Sequence, residues 1–149
     1  MNTRTDLYIV RGTEFTELAQ LACKLSEKIL SNQNTALILC HDDTQARSLD
    51  EQMWSFKDAA FLPHEQRTSP NKDYPIAIST LLLHEAAGKK QGEDADALIY
   101  MSPSLLQIEP RHSRRLILVN SEERNLSKAR SLYKKLKTAG GEVNYHDLR

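Results

Sequence analysis

The run TALILC, Thr35–Cys40, constrains this chain more than any other stretch. It is almost continuously apolar, so it has no polar face to turn towards water. A strand of that kind needs cover on both sides, as in a parallel sheet with helices packed on its two faces. Its surroundings agree. DLYIV, Asp6–Val10, is a short β-rich run that predicts a first strand. From Glu14 to Leu30, Leu18, Leu21, Ala22, Leu25 and Ile29 recur at the helical period. After Cys40, either Asp42 or Asp43 can cap a second helix that runs to about Trp54. Strand, helix, strand, helix at this spacing predicts a βαβ unit and an α/β fold with a mostly parallel central sheet.

Further along, PIAIS after Pro75, ALIYM (Ala97–Met101) and RLILV (Arg115–Val119) each predict a strand. The polar stretch HEAAGKKQGEDAD between the first two, with Gly88 and Gly92, predicts a surface loop. A last helix is expected from about Ser121 to Ala139, stopped by Gly140, with EVNY as a possible final strand. There is no internal repeat, low-complexity tract or convincing linker. A chain of 149 residues is the size of one ordinary domain, so residues 1–149 are expected to form a single core.

The fold class raises the question of a nucleotide site. None of the five glycines, Gly12, Gly88, Gly92, Gly140 and Gly141, completes a GxGxxG turn or a GxxxxGK[ST] cradle after a strand. No phosphate-binding loop and no cofactor are therefore expected. The histidines, His41, His64, His84, His112 and His146, do not fall at metal-ligand spacing with one another or with a cysteine. No serine sits in a GxSxG elbow. One motif keeps an enzyme reading open: His41, Asp42 and Asp43 follow the second strand, at the edge where open α/β sheets often hold ligands. Helix capping by the aspartates explains the same residues more cheaply. The N-terminus lacks a basic-then-apolar leader and no apolar run is long enough to span a bilayer, which predicts a cytoplasmic protein with Cys23 and Cys40 as reduced core thiols.

Lysine plus arginine and aspartate plus glutamate number 20 each, yet the charge is uneven. Residues 111–149 carry ten basic and four acidic side chains. A basic quarter on a neutral chain suits an acidic partner better than general nucleic-acid binding, although a direct single-strand binder is a second alternative. Two surfaces stand out for binding. At the end of the second helix, Ala46, Leu49 and Met53 share a face, and Trp54 lies ~100° away from Met53. Beyond it, Phe61, Leu62 and Pro63 should run extended, because the residue before proline avoids the helical region. On the last helix, Leu126, Ala129, Leu132, Leu136 and Ala139 form a core stripe. Arg130, Tyr133, Lys134 and Lys137 gather beside it within an arc of about 100°. One aromatic ring among three cations suits a peptide that is both acidic and hydrophobic.

RSLDEQMW followed by AAFLPH resembles the signature of the chi subunit of bacterial DNA polymerase III, and KARSLYKKLKTAGG resembles that family's C-terminal helix. The resemblance implies a Rossmann-like α/β fold without bound nucleotide, in a non-catalytic member of the clamp-loader assembly. It implies two partners, the psi subunit and the acidic, Phe-ending C-terminal tail of single-stranded-DNA-binding protein. By the match of motifs, Trp54, Phe61, Leu62, Pro63 and His64 would fall on the psi surface. Arg130, Tyr133, Lys134 and Lys137 would meet the tail, with Val143 as an apolar wall. Nucleic acid would be reached only through the tail-bearing protein.

Overall fold

A computed structural model describes residues 3–56, 62–86, 95–106 and 113–149. Seven strands form one sheet: β1 (Arg4–Ile9), β2 (Ala36–Cys40), β3 (His64–Gln66), β4 (Ile76–Thr80), β5 (Ala97–Tyr100), β6 (Arg114–Val119) and β7 (Glu142–Asp147). Their spatial order is β3-β4-β2-β5-β6-β1-β7, and every neighbouring pair is parallel. Four α-helices connect them, α1 (Phe15–Ser31), α2 (Asp43–Trp54), α3 (Leu81–Ala86) and α4 (Glu123–Thr138), with one 3₁₀ turn at Pro103–Leu105. This is the α/β, Rossmann-like arrangement expected. No helix among the described residues is long and apolar enough to cross a membrane.

The reason for the arrangement is visible in TALILC. All five residues of β2 are buried, as are all of β4 and β5. Along β2 the side chains alternate between two cores. Ile38 and Cys40 join α1 and α2 on one face, while Leu37 and Leu39 join α4 and the 3₁₀ turn on the other. Burying each such leucine or isoleucine contributes about 1.5–3 kcal/mol. Helices α1 and α2 therefore cover one face and α4 the other.

Chain reversals follow local chemistry. Asp42 caps α2 by accepting the Gln45 N–H at 2.9 Å. Helix α4 stops where Gly140 takes φ +89°, a left-handed value suited to glycine. The Gly140 N–H donates to the Lys137 carbonyl at 3.1 Å, and β7 begins two residues later. Two expectations need correction. The predicted polar loop begins as helix, because His84–Ala86 belong to α3 with His84 buried. Residues 87–94 of that stretch lie outside the described residues, and at its end Asp96 accepts the Thr35 N–H at 2.8 Å. The extended segment near Pro63 also continues into an unexpected strand, β3, whose sequence HEQ has no apolar alternation to reveal it.

Candidate functional site

The strand order carries the two predicted surfaces to opposite edges of the sheet. β3, beside Trp54, ends the sheet on one side, and β7, beside α4, ends it on the other. Across seven strands, spaced by about 4.8 Å, the edges stand roughly 29 Å apart.

At the β3 edge, Trp54 is the last residue of α2 and is 61% exposed. Its ring lies 4.5 Å from that of His64, tilted by 49°. His64 is itself buried, with Nδ1 against the Leu62 carbonyl oxygen and Nε2 3.2 Å from the Asp50 carboxylate. The indole thus leans on a side chain anchored in the fold. Leu62 is buried and Pro63 half-buried, so these two and His64 shape the segment while Trp54 presents the apolar surface. Phe61 lies outside the described residues.

At the β7 edge, alternation along the strand turns Val143 and Tyr145 towards α4. Val143 is buried in the core cluster that holds Leu136, and Tyr133 packs against that cluster. Tyr145, 40% exposed, meets Tyr133 edge-to-face, with centroids 6.1 Å apart and planes at 89°. Such a pair contributes about 0.5–1.5 kcal/mol beyond its buried area. Lys137 Nζ lies 5.7 Å from the Tyr133 centroid, within cation–π reach. Arg130 donates to Glu123 at 3.0 Å, and both side chains are largely in water. Lys134 is exposed. The result is an aromatic corner with Lys137 against Tyr133 and with Arg130 and Lys134 on the same side of α4, beside an edge strand paired only with β1 among the described strands.

Sequence reasoning missed Tyr145. The signal was present, since residues two apart in a strand share a face, and EVNY already placed Val143 there. It also missed what ties β7 down. Asp6 is fully buried and pairs with His146 Nε2 at 2.9 Å and with Arg4 Nε at 3.1 Å. The His146 ring stacks on Tyr8 at 4.5 Å. Burial by itself would raise the Asp6 pKa. The hydrogen bond from His146 and the nearby Arg4 charge outweigh it and hold the carboxyl below its usual value.

The motif His41–Asp43 resolves mostly into capping. Asp42 is the cap, and His41 is exposed, with Nε2 3.5 Å from Ser104 Oγ. Burial pushes the Cys23 thiol up to about 11. Burial, helped by the Asp42 charge, pushes Cys40 up to about 12. Both are poor nucleophiles near neutrality. Among the described residues no group of three His, Cys, Asp or Glu side chains could hold a metal ion.

Residues 3–144 match the family described as DNA polymerase III chi subunit, HolC. The chain is 27% identical over 146 residues to a DNA polymerase III subunit chi of Pseudomonas aeruginosa, covering 98% of this chain and 97% of that one. It is 24% identical over 148 residues to the one of Haemophilus influenzae, covering 99% of each. With that of Escherichia coli it shares 26% over 126 residues, covering 84% and 82%. Among solved structures, domain 2 of the Mss116p DEAD-box helicase bound to an RNA duplex superposes with a TM-score of 0.58 at 9% identity, covering 97% of this chain. The C-terminal part of the Fun30 ATPase domain gives 0.51 at 15%, covering 81%. The chain spans 64% and 47% of those two structures, respectively, and their likeness concerns the fold alone.

Proposed function

The chain belongs to the DNA polymerase III chi-subunit family, and on that premise we propose that it is a binding subunit that links two proteins across the width of its sheet. The psi subunit docks at the Trp54 edge. The acidic C-terminal tail of single-stranded-DNA-binding protein docks at the α4–β7 corner. The chain then serves the clamp-loader assembly in the cytoplasm without catalytic residues of its own, and it reaches DNA through the tail-bearing protein.

The observation that carries this reading is the corner itself, where Tyr133 and Tyr145 meet at 89° beside Lys137, Lys134 and Arg130. A terminal phenylalanine finds aromatic and aliphatic surface there, and its carboxylate and the preceding acidic residues find cations. Arg130 is already paired with Glu123, but an exposed pair of that kind contributes only about 0–1 kcal/mol. A tail carboxylate can therefore replace Glu123 at little cost. Trp54 supports the other half, because a largely exposed indole fixed against the fold suits an interface anchor.

The test is calorimetric titration of the full chain with a short acidic peptide ending in phenylalanine with a free carboxylate. Binding is expected, weakening as salt rises because the rim cations are screened. Arg130→Ala with Lys134→Ala should reduce affinity at least about tenfold, since hydrogen bonds to charged groups contribute about 1.5–3 kcal/mol each. Affinity indifferent to both salt and the double substitution would contradict the tail assignment.

A further inference from the structure

The C-terminal edge of the sheet holds a cleft of about 450 Å³ that neither docking surface uses. Its position follows from the topology. β1 and β2 lead into helices on one face of the sheet, whereas β5 and β6 lead into the 3₁₀ turn and α4 on the other. β2 lies next to β5, and β6 next to β1. At both junctions neighbouring strands send their chains to opposite faces, which opens the crevice where open α/β sheets hold ligands. The volume lies in the range of small-molecule sites, roughly 300–1,000 Å³.

The lining has the character of a site. Leu18, Met101 and Leu118 are buried beneath it, so the accessible wall is polar, with Gln45, Asn120 and Asn125 half-buried around it. His41 and Ser104, 3.5 Å apart, join the β2 and β5 ends. Asn120 is held in place, its side-chain oxygen accepting from Asn125 Nδ2 at 2.7 Å and from the Glu122 N–H at 3.1 Å. Arg124 and Lys128 complete the lining, one turn apart on α4. Neither of their side chains has a hydrogen bond or ion pair among the described residues. Like charges at this spacing repel, and Arg124 also stands in the first turn, where a cation opposes the helix dipole. An anion between them relieves both costs. At ~100° per residue they lie about 120° and 160° around α4 from Arg130, and Arg124, about 80° from Lys134, stands roughly 15 Å from it along the axis.

We infer that this cleft binds a small phosphorylated ligand of mononucleotide size, with Arg124 and Lys128 on the phosphate and the polar wall of His41, Gln45 and Asn120 beside the rest of the ligand. The site is independent of the proposed partner binding.

The test follows backbone amide resonances of the full chain during titration with adenosine 5′-monophosphate, with adenosine and inorganic phosphate as separate probes. The monophosphate is expected to shift Met101, Ser104 and Asn120 saturably and to bind more tightly than either fragment. Arg124→Ala with Lys128→Ala should weaken it by roughly tenfold or more, the loss expected for charge-assisted contacts. Arg130→Ala with Lys134→Ala should leave it unchanged. Unaltered amide dispersion in the Arg124/Lys128 variant shows that it remains folded. No saturable shift, equal binding by that folded variant, or shifts centred on Tyr133 and Tyr145 would each overturn the assignment. Inorganic phosphate binding as tightly as the monophosphate would overturn the mononucleotide size.

Discussion

Asp6 shows how a single carboxylate can hold an edge strand in place. It is fully buried on β1 beside β7, and its partners Arg4 and His146 come from those two strands. A carboxyl whose folded pKa is depressed stabilises the protein above its unfolded pKa, near 3.9, and that contribution is lost as pH falls through the lower folded value. Urea unfolding of the wild type should therefore show stability falling below about pH 4, and Asp6→Asn should flatten that decline. At neutral pH the same substitution should cost about 1–3 kcal/mol, because it leaves Arg4 and His146 without their charged acceptor. An acid profile identical to wild type would remove Asp6 from this role. Tyr145 lies on the same strand and faces Tyr133. Tyr145→Ala should weaken the acidic peptide several-fold, in line with the loss of an aromatic contact of about 0.5–1.5 kcal/mol, and should lower stability in urea by a similar amount because the contact with Tyr133 is lost too.

Among the elements, the α4–Gly140–β7 unit builds the corner, and its geometry turns on one glycine. A Cβ at Gly140 would meet nothing within 4 Å, so Gly140→Ala tests conformation alone. Its left-handed φ predicts a cost of about 1–2 kcal/mol in urea unfolding. This unit was readable in the sequence because the apolar stripe of α4, the stop at Gly140 and the EVNY strand are local patterns. TALILC was readable for a related reason, as burial on both faces leaves no polar positions. β3 and α3 were not. HEQ is held as a strand by its pairing to β4, and the start of the polar stretch is helical with His84 turned inward. Long-range contacts decide both, and neither leaves a periodic trace. The cleft was invisible for the same reason, since Leu18, His41, Met101 and Arg124 converge only once the strands are ordered. Individual cations and rings were legible; their meeting with Tyr145 depended on β7 lying beside β1.

At the scale of the molecule, a parallel sheet seven strands wide acts as a spacer. It holds the Trp54 edge and the Tyr133–Tyr145 corner roughly 29 Å apart with a packed core between them. Two partners docked there need not touch, and rigid packing leaves each site little means to alter the other. The central claim is therefore simultaneous and independent binding, a function of the sheet's width as much as of the residues at its ends. The most direct measurement is calorimetric titration of the acidic peptide into the chain alone and into the chain saturated with psi. The account predicts a ternary complex with the peptide affinity unchanged within about twofold, since independent sites have a coupling free energy near zero. Competition between psi and the peptide, or loss of peptide binding in the Trp54→Ala chain, would contradict it.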